Sequence, residues 1–331
     1  MRFRRFGRLD WQVSEIGFGA WALGGNWGLQ SDSDSIDALN RAIDLGCNFI
    51  DTARAYGNGR SESLIGQTLK HRAGHSVYVA TKIPPRMPGD WPPSPYDSIE
   101  DRYPVAYVRA EIEKSLRSLE TDCLDLIQIH TWMRAWNRNP VVFETLQRCR
   151  EEGKVKGVGV STPEHDQNAV IDLIRSGLVD SVQVIYNIFN QEAQEGLLQE
   201  ALEHDVGVIV RVAFDEGSLT GKLTIDHTFP DGDMRSEYFA GDRLPRTVRR
   251  VETIKETLAG ANPDLAEIDL ASVALKFALK PPPVSVVIAG TRNADQATRN
   301  FAVSDQEPLS DELEGRLRKC NWRRSFWYQG K

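Results

Sequence analysis

Leu124–Ser161 reads LDLIQIHTWMRAWNRNPVVFETLQRCREEGKVKGVGVS. It opens with a short, almost continuously apolar run, Leu124–Ile129, and closes with another, Val155–Val160. Such runs, rich in Val, Ile and Leu, are what strands covered on both faces require. Between them, Pro140–Gly153 has a proline in its first turn and buries Val142, Phe143 and Leu146 at helical spacing. It stops at a glycine. Strand, helix and strand in this order predict a unit of parallel sheet.

The same rhythm continues outward. Ile16–Phe18, Cys47–Ile50 and Val77–Ala80 precede the unit; Ser181–Ile185, Val206–Val212 and Val284–Ala289 follow it. Ser31–Gly46 reads as a helix with a capping-box start (Ser31, Asp34), apolar Ile36, Leu39 and Ile43, and a glycine stop. Thr162–Gly177 reads as another, with Thr162 as cap and Pro163 at the first helical position. Eight strands alternating with helices predict an α/β fold closed into a (β/α)8 TIM barrel. Arg2–Val13 reads as an N-terminal β-hairpin that turns near Arg8–Asp10 and plugs the barrel floor. Three stretches break the rhythm: proline-rich Pro84–Tyr103, polar Leu223–Pro245 and the aromatic tail Asn321–Lys331. Two follow strands, as long loops at the C-terminal face where barrel enzymes keep their active sites. With no internal repeat and no low-complexity linker, residues 1–331 read as one domain.

Composition narrows the function classes. A chain of 331 residues accommodates a barrel of about 250 with insertions. Hydrophobic residues at 40% and charged residues at 26% exclude a disordered chain. A net charge of −7 without a basic stripe argues against a nucleic-acid partner. No apolar stretch of about 18 residues exists to span a membrane. The arginine-rich Met1–Asp10 lacks the apolar core of a signal peptide, which predicts a cytoplasmic protein. Cys47, Cys123, Cys149 and Cys320 are scattered and read as free thiols in a reducing compartment. His71 and His75 have a metal-compatible spacing. Gly74 between them and the lack of further ligands make the segment a solvated turn, and no metal is expected.

Three runs end in ionisable residues: Cys47–Ile50 in Asp51, Val77–Ala80 through Thr81 in Lys82, and Leu124–Ile129 in His130. In a parallel barrel the C-terminal strand ends surround one mouth. Asp51, Lys82 and His130 therefore converge, and Tyr56 reaches them from the loop Thr52–Gly59. Polarity returns at the end of any buried strand, which explains each residue singly. It explains the set poorly, with a tyrosine five residues after the aspartate.

Asn48-Phe-Ile-Asp-Thr-Ala-Arg-Ala-Tyr-Gly57, followed by Ser61-Glu-Ser-Leu-Ile-Gly66, resembles the signature of the aldo-keto reductases. Ala80-Thr-Lys82, Leu124–His130 and Gly157-Val-Gly-Val-Ser161 resemble it too, and the match runs in order from about Phe6 to Asn300. The resemblance implies reduction of aldehydes or ketones, with Tyr56 as proton donor beside Asp51, Lys82 and His130. Chemistry supports those residue types. A free phenol, with a pKa near ~10, is a weak acid at neutral pH. A lysine ammonium beside it is expected to lower that value and steady the developing alkoxide. Asp51 would hold Lys82, and His130 would hydrogen-bond the carbonyl oxygen.

By the same resemblance, Ser161 and Gln183 hold a nicotinamide carboxamide, with Thr162 where relatives carry Asn. Gly290, Thr291, Arg292, Gln296 and Asn300 match the segment that binds the adenosine phosphate end. A helix N-terminus suits phosphate, and Arg292 adds a planar cation, favouring NADP(H) over NAD(H). Phe214–Lys222 resembles the loop over the pyrophosphate, with Gly217, Leu219 and Lys222 as cofactor neighbours. Arg211 stands where relatives place a ring on the nicotinamide; its guanidinium would stack there or bind a substrate carboxylate. Gly17–Ala22 matches a loose dinucleotide fingerprint but leads into a loop and not a helix. Gly19, Ala20 and Trp21 instead read as backbone close to the nicotinamide. Trp21, Tyr56 and Trp132 are expected to line the substrate pocket, ahead of Trp91, Trp322, Phe326 and Trp327. The partner is then a small carbonyl compound. Potassium-channel β subunits share this fold and site, so the alternative is a cofactor-binding regulatory subunit with slow or no turnover. The absence of a long segment before Phe6 favours the simple enzyme.

Overall fold

The computed structural model describes residues 1–25, 27–72, 74, 76–87, 91–261 and 269–327; His75 and the tail end 328–331 lie outside them. Two strands, β1 (Phe3–Phe6) and β2 (Trp11–Ser14), pair antiparallel around a 3-10 turn at Gly7–Leu9. Eight more follow: β3 (Ile16–Gly19), β4 (Phe49–Asp51), β5 (Tyr78–Ile83), β6 (Leu124–Ile129), β7 (Val155–Ser161), β8 (Ser181–Ile185), β9 (Gly207–Arg211) and β10 (Val284–Gly290). All their pairings are parallel. β10 bonds to both β3 and β9 and closes the expected (β/α)8 barrel, with a strand at each apolar run.

Side chains inside the barrel follow the two-residue period of a strand. Phe49, Ala80, Leu126, Ile209 and Val286 form an apolar layer. Two residues further along four of these strands stand Asp51, Lys82, Gln128 and Arg211, so the interior turns polar within one step. The hairpin closes the apolar end. Phe6 is fully buried, with its ring 5.4 Å from Phe49 and 5.6 Å from Trp11. Gly7 sits at φ +46°, and a Cβ there would lie 2.3 Å from the Gly207 nitrogen. Only glycine lets that turn press against β9. Outward residues such as Ile127, Ile129, Val158 and Val182 join Leu39, Ile65, Ile112 and Leu146 of the surrounding helices in one core.

The first predicted helix spans Asp32–Asp44, with the Ser31 hydroxyl accepting from Asp34 N at 3.0 Å. Another spans Val141–Glu151, with Pro140 just before it. Thr162–Gly177 departs from expectation. Its α-helix covers only Ile171–Arg175, after a 3-10 turn at Gln167–Val170. Thr162 cannot cap a helix because its nitrogen is bound to Gln183 O and its hydroxyl donates to Gln167 Oε1. The Gln167 amide in turn bonds Pro163 O and Glu164 O, which fixes a loop where a first turn was predicted. All four cysteines are free thiols. Among the described residues no helix is long and apolar enough to cross a membrane.

Candidate active site

Strand register brings the expected residues side by side. Gly19 lies opposite Asp51 and Gly290, Lys82 opposite Gln128, and Ser161 opposite Gln183. Asp51 and Lys82 are almost wholly sealed from solvent. The Lys82 ammonium donates to Asp51 Oδ1 at 2.5 Å, to Thr52 O at 2.8 Å and to the Tyr56 hydroxyl at 3.3 Å. The other Asp51 oxygen accepts from Gln183 Nε2 at 2.7 Å and Gln128 Nε2 at 3.4 Å. Both charges are thus paired and hydrogen-bonded, the condition for keeping an ion pair out of water.

Tyr56 reaches this pair from a tightly held loop. Thr52 N and Arg54 N extend the pairing with β5 through Ala80 O and Lys82 O, and the chain then turns through left-handed Gly57 and Asn58. Gly24 of the first loop packs so closely that a Cβ on it would lie 2.7 Å from Gly57 N. Glu62 of the quoted signature braces the site from behind: it pairs with Arg54 and accepts from Thr81 Oγ1 at 2.6 Å. Burial pushes the Tyr56 phenol above its ordinary value, and the Lys82 charge pulls it back only in part, because Asp51 opposes it. The expected lowering by Lys82 is present but outweighed by desolvation.

His130 presents its ring edge-on to Tyr56, with centroids 5.8 Å apart, and to Trp91 at 5.0 Å. Burial, reinforced by the charges of Lys82 and Arg211, holds the imidazole well below its usual pKa. The ring is therefore neutral at physiological pH. Its Nδ1 is buried without a hydrogen-bond partner among the described residues.

These residues open into a cavity of about 840 Å³. Gly19, Ala20, Trp21, Asp51, Tyr56, Trp91 and His130 line it, as do Ser161, Gln183 and Arg211. Phe214, Gly217 and Lys222 line it after β9; Gly290, Arg292, Gln296 and Asn300 line it after β10. Lys82 meets the cavity only through Tyr56 and Asp51. Four of the expected residues do not line it. Trp132 is fully buried against Trp136 and Phe143, its indole N–H donating to Asn137, because the chain turns inward after His130. Trp91 stands at the pocket instead. Thr162 is buried in the bonds described above, and Leu219 is fully buried in the core. Thr291 is also buried, donating to Ala289 O and accepting from Asn300 Nδ2, which fixes the turn into the helix Ala294–Ala302.

The structure adds residues not anticipated. Gln128 was signalled by a polar residue inside an apolar run, two before His130. Trp27, Glu164, Glu216 and Arg235 line the cavity from loops, where no periodicity marks them. Arg211 donates to Thr162 O at 3.0 Å and lies 3.7 Å from Glu164, so an acid already faces its charge.

The donors present fit a dinucleotide. Gln183 uses its amide nitrogen on Asp51, and neither its oxygen nor the Ser161 hydroxyl makes a hydrogen bond to a described residue. Arg292 is braced by Gln30 Oε1 at 3.0 Å and Leu29 O at 2.7 Å, beside the start of the helix Ala294–Ala302. Arg235, Arg299 and Lys222 add positive charge to the same walls.

Barrel, buried acid–lysine pair, tyrosine and histidine together define an oxidoreductase of the barrel type. The model of the Aldo/keto reductase family matches residues 15–321, and the chain belongs to that family. It is 29% identical to Aldo-keto reductase YhdN of Bacillus subtilis over 293 residues, 86% of this chain and 83% of that one. An NADH-specific methylglyoxal reductase of Escherichia coli is 26% identical, over 89% of this chain and 91% of its own. Among solved structures, an aldo-keto reductase of Bacillus halodurans in its holo form superposes with a TM-score of 0.75. It shares 25% identity, over 100% of this chain and 99% of that one. The glycerol dehydrogenase of Gluconobacter oxydans gives 0.77 at 26% identity, over 96% and 94%.

Proposed function

We propose that this chain is an NADP(H)-dependent reductase of aldehydes or ketones, with Tyr56 as general acid and Lys82, Asp51 and His130 assisting. The observation that carries the proposal is the Lys82 ammonium bonded at once to Asp51, Thr52 O and the Tyr56 hydroxyl at the cavity wall. A reduced nicotinamide dinucleotide, when bound, supplies the hydride to the carbonyl carbon. Ser161 and Gln183 would hold its carboxamide, and Arg292 with the helix start its phosphates.

A carbonyl oxygen placed between Tyr56 and His130 meets two donors. Tyr56 keeps its proton through the neutral range, because burial raises its value. As negative charge grows on the substrate oxygen, the phenol proton moves to it, and the phenolate left behind is held by the Lys82 ammonium. Asp51 keeps that ammonium in place. Neutral His130 has no acceptor at Nδ1 among the described residues, so its proton goes to Nε2, where it orients the carbonyl. Trp21, stacked on Tyr56 at 6.2 Å, and Trp91 narrow the approach to small apolar faces.

The braced, planar Arg292 supports a 2′-phosphate and hence NADP(H). The relatives point both ways, one carrying NADP(+) in its name and another NADH. The test is NADPH and NADH oxidation by the purified chain with a panel of aldehydes and ketones, beside Tyr56→Phe. Turnover with NADPH that disappears in the variant is expected. Tight cofactor binding without turnover on any carbonyl would overturn the proposal and favour a regulatory, cofactor-sensing subunit. Arg292→Ala should weaken NADPH about tenfold and leave NADH nearly unchanged.

A further inference from the structure

The C-terminal segment does more than cover the barrel side. Trp322 and Phe326 pack beside Phe189, and the Arg324 guanidinium lies among these three rings, 4.6, 4.9 and 5.0 Å from Trp322, Phe326 and Phe189. It is paired with Asp215 and donates to the Tyr238 hydroxyl at 3.3 Å. Asp215 also accepts from Ser218 Oγ at 2.6 Å and Tyr238 at 3.4 Å. Both partners of the pair are buried, with side chains 8% and 3% exposed.

Asp215 is the root of a segment that crosses the cavity. Beside it, Phe214, Glu216 and Gly217 line the cavity. Further along, the Arg235 guanidinium, clamped by Asp233 at 2.6 Å, lies 4.5 Å over the Trp27 ring on the opposite rim. The root is strained: Val212, Asp215 and Glu216 have φ of +58°, +48° and +54°, values non-glycine residues rarely adopt. Such a backbone persists only where its surroundings hold it: Leu219 packs in the core further along, and at the root itself Asp215 is held by Arg324 and Tyr238 while Asn187 donates to Val212 O at 2.8 Å.

We propose that Arg324 is a positioning residue whose pair with Asp215 keeps the crossing segment closed, so that the C-terminal segment sets the rate at which cofactor leaves. This rests on the reading of the cavity as a dinucleotide site. Release requires the crossing to open, and its rate follows the population of the open form. Arg324 touches neither Tyr56 nor Lys82, so its effect falls on release and not on proton transfer.

The test uses the full chain, with bound NADPH displaced by excess NADP+ and release followed by nicotinamide fluorescence in stopped flow. Arg324→Lys keeps the charge but loses the planar fork. The double variant Arg324→Gln with Asp215→Asn removes both charges and leaves no unpaired ion buried. Arg323→Gln, on the same segment but paired with Glu195 at the surface, is the control. Release should quicken at least about tenfold in the double variant and by less in Arg324→Lys, with single-turnover reduction unchanged. Release rates within about twofold of the parent in both variants would overturn the proposal, whatever happens to thermal stability. Failure of the parent chain to bind NADPH would overturn the cofactor reading and the proposal with it.

Discussion

The two ends of the barrel are made from the same strands and do opposite things with burial. At the floor, Phe6, Val13, Phe49, Leu126 and Ile209 are fully buried and wholly apolar. One step up the same strands, Asp51, Lys82 and Gln128 are just as buried yet carry two formal charges, and with His130 just beyond β6 they leave two buried polar atoms, Gln128 Oε1 and His130 Nδ1, without a hydrogen-bond partner among the described residues. The floor gains its stability by removing apolar surface from water. The mouth gives some of that up to hold a lysine against a phenol in a low-dielectric setting. Burial by itself therefore distinguishes nothing here; what is buried tells the stabilising end from the reacting end.

Single substitutions can separate the ends. Tyr56→Phe removes one oxygen from the mouth and should lower carbonyl reduction roughly 10²–10⁴-fold, leaving NADPH affinity and the thermal midpoint near the parent's. A midpoint that fell along with activity would mean that the mouth is structural as well. Phe6→Ala is the converse. Emptying the floor should cost about 3–5 kcal/mol in urea unfolding, while turnover per folded molecule stays close to the parent's. Turnover lost in molecules that remain folded would show the floor reaching the chemistry, and the contrast would collapse.

The contrast also explains what could be read in advance. Strands buried on both faces print as apolar runs, so β3 to β10 were visible in the sequence, and the switch to polarity at Asp51, Lys82 and His130 marked the mouth. The sequence marks the hairpin Arg2–Val13 as the floor plug, but not Phe6 as the side chain that fills it. The loops were not legible in this way. Trp132 follows a strand end just as Trp21 does, but which tryptophan turns inward depends on partners such as Asn137 and Phe143, brought there by tertiary packing. The helix expected from Thr162 failed for a similar reason: β8 and the Gln167 side chain claim the groups a cap would need. Glu216 and Arg324 lie in stretches without periodicity, and only the closed structure shows them buried.

A pH profile sharpens the contrast further. Because the Tyr56 phenol is raised, its proton is still present above pH 9, so reduction should not decline through loss of that proton across pH 6–9. Alcohol oxidation needs the deprotonated phenol as base and should climb with pH over the same range, by up to tenfold per unit. His130, held well below its usual pKa, adds no step near 6.5. A reduction profile falling with a midpoint near 7 would point to another proton donor.

The smallest expected effect belongs to Glu216, a carboxyl on the mouth side that accepts no hydrogen bond from the described residues. Burial pushes it up to about 8, helped by the charges of Asp215 and Asp233 and opposed by Arg211 and Arg235. Its folded value lies above the ordinary carboxylate range, so the stability this proton gives is present at low pH and lost as pH rises toward about 8. A bound phosphate group favours the protonated form for the same electrostatic reason. NADPH affinity should then hold steady up to about pH 8 and fall above it by at most one log unit per pH unit. Glu216→Gln, which cannot ionise, should match the parent at pH 7 and bind about tenfold more tightly at pH 9, measured by fluorescence titration. Parallel profiles for the two proteins would place the phosphates away from Glu216. The unpartnered acid would then be a feature of the loop's shape, and the polar layer of the mouth would end at Arg211.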